Sequence, residues 1–139
     1  MCIMKALAKR FTYKTASVSL GRTRVTAIVA DTFLKKAVGL MYRPKLGRFE
    51  CMLFLFGRSG FHGIWMANMN FPIDIVWLDE GFRVIDVVEN APPCKSAFGC
   101  PTYYPRSPAS YVVEFTAGTA KKYGIKRSRK MKIKGLEMK

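Results

Sequence analysis

The fold is decided by the stretch GIWMANMNFPIDIVWLD, residues 63–79, which holds both tryptophans of the chain on either side of a Phe-Pro break. Side chains alternate between the two faces of a strand. In residues 72–79 both faces are then largely apolar, and Asp74 stands in a row with Val76 and Leu78. The pattern predicts a strand that is covered on both sides and carries a carboxylate inside.

Asp74 therefore needs a partner. Burying a lone carboxylate costs on the order of several kcal/mol unless it meets a cation or accepts several hydrogen bonds. The candidates are Arg43, the indole of Trp65, the amide of Asn68 and backbone amides at residues 70–72. Two interpretations stay open: a recognition patch for a sugar or another polyhydroxylated ligand, or a structural network that fixes the turn. On the first, the ligand-binding residues are Arg43, Trp65, Asn68 and Asp74.

The flanking sequence predicts a mainly β chain with one substantial helix. Apolar spacing of three to four residues, after a cap at Asp31 or Thr32, predicts a helix that Pro44 stops. Alternating or continuous apolar runs predict strands within residues 17–31 (two strands joined at Gly21), 51–57, 63–68, 72–79, 82–90, 109–118 and 129–134. The run from 51 to 90 reads as a meander, and residues 91–110, with five prolines, as a long loop.

We therefore expect a small β-sandwich or partly closed barrel of seven or eight strands, with one short α-helix near the N-terminus. Its 139 residues fit a single domain, 1–139, with a core at about 16–134 and basic ends. No run approaches the roughly 20 apolar residues that span a bilayer, and the start lacks a signal-peptide pattern. The expectation is a cytoplasmic monomer without a membrane association.

The net charge of +15 is concentrated at the two ends of the chain. Residues 1–30 carry six basic and no acidic residues, and residues 119–139 carry nine basic residues against Glu137. If the ends lie side by side, residues 121–134 would contribute to a cationic face for nucleic acid or another polyanion. A solvated lysine-rich tail is the alternative, because no nucleic-acid motif accompanies the charge.

Cysteine and histidine usage argues against a metal site. Cys2, Cys51, Cys94 and Cys100 form no paired Cys-x-x-Cys, and His62 is the only histidine. Cys94 and Cys100 enclose five residues, which is short enough for a disulfide, whereas a reducing cytoplasm favours free thiols; both remain open. No phosphate-binding glycine loop is present, and we expect no cofactor.

The residues that could catalyse a reaction form no recognisable constellation. His62 lies in the predicted loop 57–63, and Cys51 lies in an apolar run that would raise its pKa. Asp74 and Glu114 could act as an acid–base pair in a hydrolase only if they met across the sheet. We lean towards a protein that is not an enzyme.

Five segments together resemble a known family: FLKKAVGLMYRPKL, CMLFLF, IWMANMNFPIDIVWLDEGFRVIDVV, PPCKSAFGCPTYYP and ASYVVEFTAG. They are similar, over about residues 25–134, to the domain of unknown function 192 family, also called uncharacterised protein family 0127. The resemblance implies a compact, mainly β fold with a helix near the start, and no function. Among the motif residues we expect structural roles for Gly39, Pro72, Glu114 and Gly118.

The chain departs from the family pattern in three places. Cys51 stands where members usually have glycine, Met69 replaces a usual threonine, and Ser128-Arg129 replaces a usual Gly-Asp turn. Met69 matters most, because loss of a ligand-binding hydroxyl there would alter a site. The functional expectation is a small-ligand-binding or interaction module, with polyanion binding through the basic ends and a hydrolase using Asp74 or Glu114 as alternatives.

Overall fold

The computed structural model describes residues 3–96 and 98–136. Its helices are α1 (Ile3–Ala8), α2 (Phe33–Val38) and α3 (Thr119–Tyr123). Its strands are β1 (Lys14–Leu20), β2 (Thr23–Ala30), β3 (Glu50–Gly60), β4 (Ile64–Trp65), β5 (Ile73–Leu78), β6 (Val84–Ala91), β7 (Thr102–Tyr103), β8 (Ala109–Thr116) and β9 (Lys132–Lys134). The described part is therefore mainly β, with nine strands and three short helices.

Seven strands form one sheet in the order β6-β5-β8-β3-β2-β1-β9. β2 and β3 pair in parallel, and the other neighbours pair antiparallel. A parallel pair needs a crossover rather than a hairpin, and α2 lies in that crossover. The expected meander from residue 51 to 90 is wrong, because β8 inserts between β3 and β5 and takes the hydrogen bonds of both.

The sheet curls until its two edges touch at one point. Arg83 and Lys130 form an antiparallel bridge between the start of β6 and the approach to β9. The Val84 amide donates to the Arg129 carbonyl, and the Met131 amide donates to the Phe82 carbonyl, each at 2.8 Å. The sheet is otherwise open along this seam, so it resembles a partly closed barrel.

Apolar side chains fill both faces of the central strands, as residues 51–57 and 72–79 predicted. The first core lies on the face that includes Val18, Leu53, Val76, Val113 and Phe115. The second core lies on the other face and includes Met52, Phe54, Ile75, Trp77 and Val112, covered by Leu40, Ile64, Met66 and Met69. The central strands thus lie between two apolar layers.

Helix α2 is shorter than its apolar spacing indicated. The Thr32 side chain caps it by accepting from the Lys35 amide at 3.2 Å, but the helix ends at Gly39 rather than at Pro44. Gly39 has φ 50°, and a Cβ there would lie 3.3 Å from the Phe54 ring. Phe33, the first residue of this helix, is exposed and does not pack on the sheet.

The segment after β3 forms a second layer rather than a full strand. β4 has only two residues and pairs with β7 in a separate two-stranded sheet. Cys94 and Cys100 are joined by a disulfide within the proline-rich loop. The Cys94 amide donates to the Met66 carbonyl at 3.0 Å, and the Asn68 amide donates to the Cys94 carbonyl at 3.3 Å. The loop therefore holds residues 66–68 in place.

Candidate functional site

Asp74 is fully buried, and three backbone amides from two distant segments of the chain satisfy its carboxylate. Its Oδ1 accepts from the Asn90 amide at 2.9 Å, and its Oδ2 accepts from Gly118 at 3.1 Å and Ala120 at 2.8 Å. These bonds tie β5 to the end of β6 and to the turn into α3. This geometry supports the structural interpretation of Asp74.

The other three residues of the expected patch separate. The Arg43 guanidinium lies 5.5 Å from the Tyr13 ring centroid and lines a different surface depression from Trp65. Asn68 is exposed with φ 59°, and its carbonyl accepts from the Tyr42 amide at 3.0 Å. Arg43, Asn68 and Asp74 do not line the cavity that Trp65 lines.

Trp65 instead lines a cavity with Glu114, a residue for which the sequence suggested a structural role. The cavity has a volume of about 160 Å³. Its apolar walls come from the turn after α2, from β3 and from the β4 segment, and include Gly39, Leu40, Phe54, Ile64 and Met69. Trp65 is 51% exposed, so its ring lies where the cavity opens to solvent.

Glu114 reaches the cavity because of its register on β8. It pairs with Met52 of β3 and with Ile75 of β5, and so it points into the second core. The residue is 4% exposed, and no described residue makes a hydrogen bond or an ion pair with its carboxyl group. Burial in this apolar layer raises the pKa of Glu114 to about 8. The carboxyl is therefore mostly protonated at neutral pH.

Lys36 is the other described residue with a chargeable side chain on the cavity wall. Its ammonium group donates to the Leu55 carbonyl at 2.8 Å and lies 5.0 Å from the Phe56 ring centroid. These contacts hold it on β3, and it forms no ion pair with Glu114. The cavity thus contains an acid without a built-in cation.

Larger surface depressions lack such a group. Three of them, of about 340, 390 and 650 Å³, lie elsewhere on the described surface. Their acidic lining residues already have partners: Asp31 pairs with Lys35, and Glu50 accepts from the Gly47 amide. Size alone would favour these depressions, but a buried unpartnered carboxyl is the stronger sign of a site.

The remaining reactive side chains stand apart from the cavity. The His62 ring stacks on Phe56 at 3.9 Å and lies within reach of the Arg58 carbonyl at 3.0 Å. Cys51 is fully buried, and burial raises the pKa of its thiol to about 12, as the apolar run around it predicted. Residues 3–96 and 98–136 contain no cluster of three or more metal-binding side chains.

The basic ends come together through the pairing of β1 with β9. On the face away from the first core, Ser19 lies between Arg24 of β2 and Lys132 of β9. No described residue forms an ion pair with a lysine or arginine of residues 119–134. None of the described helices is long and apolar enough to cross a bilayer.

This architecture is a curled seven-stranded sheet with an added layer that encloses a small cavity. The chain belongs to the domain of unknown function 192 family, described as "Uncharacterized ACR", whose model matches residues 15–133. The resemblance in the motifs is thereby confirmed. The matching region includes Trp65, Met69 and Glu114.

Individual relatives agree with this assignment. UPF0127 protein PH1112 of Pyrococcus horikoshii is 33% identical over 92 residues, which are 65% of this chain and 71% of that protein. A crystal structure from Sinorhizobium meliloti, described as a "putative transcription regulator", matches with a TM-score of 0.77 and 28% identity over 90% of this chain and 96% of its own. A protein of unknown function from Novosphingobium aromaticivorans matches with a TM-score of 0.73 and 28% identity over 88% and 85% of the two chains.

Proposed function

We propose that this protein is a small-molecule-binding module whose ligand enters the Glu114 cavity past Trp65. The observation that carries the proposal is the Glu114 carboxyl, 4% exposed, on the cavity wall without a described partner. Buried polar groups almost always have a hydrogen-bond partner. None of the described residues has a fully buried side-chain oxygen without a hydrogen bond, so the Glu114 carboxyl keeps contact with the cavity space, where a ligand would replace water.

The size and lining of the cavity restrict the ligand. At about 160 Å³ it is smaller than the roughly 300–1,000 Å³ of drug-sized pockets and close to the roughly 150 Å³ cavity that admits benzene. The ligand, or the part of it that enters, therefore has about six non-hydrogen atoms. The exposed Trp65 ring offers a surface for whatever remains outside.

Amide NMR tests this proposal with a set of small probes at millimolar concentration: an alkylamine, an alcohol, a primary amide, a carboxylate and a monosaccharide. Binding is expected to shift the Gly39 and Trp65 signals. Ala37→Leu, which places a larger side chain on the cavity wall, should abolish the shifts. Phe33→Leu is the matched control on the same helix, since Phe33 is exposed and outside the cavity. Shifts that survive Ala37→Leu would refute the site.

A second candidate function is polyanion binding through a basic face on β2, β1 and β9. Arg24 and Lys132 lie on either side of Ser19 on neighbouring strands, which supports this candidate. The basic residues of 119–134 also form no ion pair with a described residue. The name of the Sinorhizobium meliloti neighbour is compatible with nucleic-acid binding. Lys132→Gln with Lys134→Gln should reduce affinity for DNA and flatten its salt dependence, whereas exposed Lys45→Gln should not. Salt-independent or absent binding would remove this candidate.

Hydrolysis by a carboxylate pair has less support. Asp74 lies opposite Phe115 and Glu114 lies opposite Ile75, so the two acids point to opposite faces of the sheet. They cannot act together on one bond, and the three amides bonded to Asp74 hold it in the scaffold.

A further inference from the structure

We propose that the Glu114 cavity binds the ammonium end of a primary alkylamine, with the alkyl chain running along the apolar wall toward Trp65. This inference rests on the proposed function and specifies its ligand class. It also revises the sugar-like ligand that the sequence suggested.

The cavity lining offers several hydrogen-bond acceptors. Besides the Glu114 carboxyl, the last-turn carbonyls of Lys36 and Ala37 belong to cavity-lining residues, and no described backbone amide donates to them. Such carbonyls at the end of a helix lack intrahelical donors. The ammonium of Lys36 already donates to Leu55. An incoming group with several N–H donors therefore complements the lining, since an ammonium has three.

The apolar remainder of the cavity excludes polyhydroxylated ligands. Ile64, Met69 and Phe54 are apolar and offer no side-chain donor or good acceptor to a ring of hydroxyl groups. Each hydroxyl left without a partner would cost binding free energy. Met69 is buried and lines the cavity, and its apolar side chain suits an alkyl chain.

Binding requires Glu114 to lose its proton. The neutral acid and the alkylammonium form a carboxylate–ammonium pair, and one proton goes to solvent. Because burial raises the Glu114 pKa to about 8, protons compete with the ligand below that pH. Lys36 is the other charged group among the described lining residues; Met52 and Phe54 of β3, Ile75 of β5 and Trp65 of β4 carry no charge. Affinity should then rise roughly fifty-fold between pH 6 and pH 8.

The test is titration of the full chain with n-butylammonium chloride, followed by amide NMR and by calorimetry in two buffers of different ionisation enthalpy. We expect shifts at Gly39 and Trp65, release of about one proton at pH 7, and at least tenfold weaker binding of 1-butanol and of sodium butyrate. Glu114→Gln should weaken butylammonium binding at least tenfold and remove its pH dependence, and Glu89→Gln, an exposed glutamate, should change neither.

The possible outcomes distinguish the claim that the ligand is an alkylamine from the claim that the cavity binds a small molecule. If 1-butanol or butyrate shifts the cavity signals more strongly than butylammonium, or if binding is independent of pH, the ligand class is wrong and the cavity remains a binding site. If no probe shifts these signals, both claims fail. If butylammonium binds equally well to Glu114→Gln, the role of the carboxyl is refuted. A Met69→Thr variant that gains affinity for butylammonium would contradict the apolar-wall argument.

Discussion

Asp74 and Glu114 lie on neighbouring strands one register position apart, yet their side chains point to opposite faces of the sheet. Asp74 accepts three backbone amides, and Glu114 has no described partner. The two buried acids therefore differ in role, because the hydrogen bonds of one are made within the fold and those of the other are not. Asp74 ties the start of β5 to the end of β6 and to the turn into α3, and Glu114 leaves a polar group for a ligand.

Asp74→Asn should lower the free energy of unfolding by about 3 kcal/mol. One carboxylate oxygen becomes an NH2 group, which is a donor and would face a buried backbone N–H instead of accepting from it. Urea unfolding measures this loss. Asp79→Asn is the matched control: Asp79 also accepts two amides, from Gly81 and Arg83, but in an exposed turn. There the expected loss is below about 1 kcal/mol. Equal losses at the two positions would contradict the scaffold role of Asp74.

Glu114 should make stability depend on pH in the direction opposite to a salt-bridged acid. Its ordinary pKa of 4.5 rises to about 8 on folding, so between these values the unfolded chain releases a proton that the folded protein keeps. The contribution of Glu114 to the free energy of unfolding is then fully present below pH 4.5. It is lost as the pH rises to 8, by about 5 kcal/mol at most.

Glu114→Gln should remove this decline, so the variant should be more stable than the wild type at pH 8.5 and similar to it at pH 5. Urea unfolding at three pH values measures the slopes. Glu89→Gln, at an exposed position of β6, should leave the slope unchanged. A wild type and a Glu114→Gln variant that differ by the same amount at every pH would refute the account.

Gly39→Ala should destabilise the protein by roughly 1–3 kcal/mol, because its backbone has φ 50° and the new Cβ would press on the Phe54 ring at 3.3 Å. Gly21→Ala separates the two causes. Gly21 has φ 62° with no atom within 4 Å of the added Cβ, so only backbone strain applies. Thermal unfolding should therefore show a smaller loss at Gly21, and the reverse order would contradict the packing argument.

Reduction of the Cys94–Cys100 disulfide should lower stability by about 2 kcal/mol, the chain-entropy contribution expected for so short a loop. It should also increase hydrogen exchange at Cys94 and Asn68, whose amides connect the loop to the β4 segment. The double variant Cys94→Ser with Cys100→Ser should be insensitive to reductant. Alkylation of both cysteines in denaturant without reductant would show that the bond is absent.

Local patterns predicted the strands well, because burial on both faces leaves continuous apolar runs such as residues 51–57 and 72–79. The parallel pairing of β2 with β3 and the insertion of β8 were not predicted, since register between distant strands leaves no local periodicity. The early end of α2 was missed because Gly39 stops the helix before Pro44 does.

The candidate site was only partly predictable for the same reason. Trp65 was identified, whereas the amides that satisfy Asp74 come from residues 16 to 46 positions away. Glu114 was expected to be structural because it belongs to the family motif, and as an alternative it was considered as an acid of a hydrolase. The available signal was that Val112, in the same row as Glu114, is apolar as well, so both faces of β8 read as covered.

The most direct measurement is a pH titration of the Glu114 side-chain carboxyl carbon by ¹³C NMR in the full chain. The account predicts a midpoint near 8, because the carboxyl is buried among apolar side chains and has no described partner. Addition of n-butylammonium should lower that midpoint. A midpoint near the ordinary 4.5, unmoved by the amine, would contradict the central claim that a buried unpartnered acid faces this cavity.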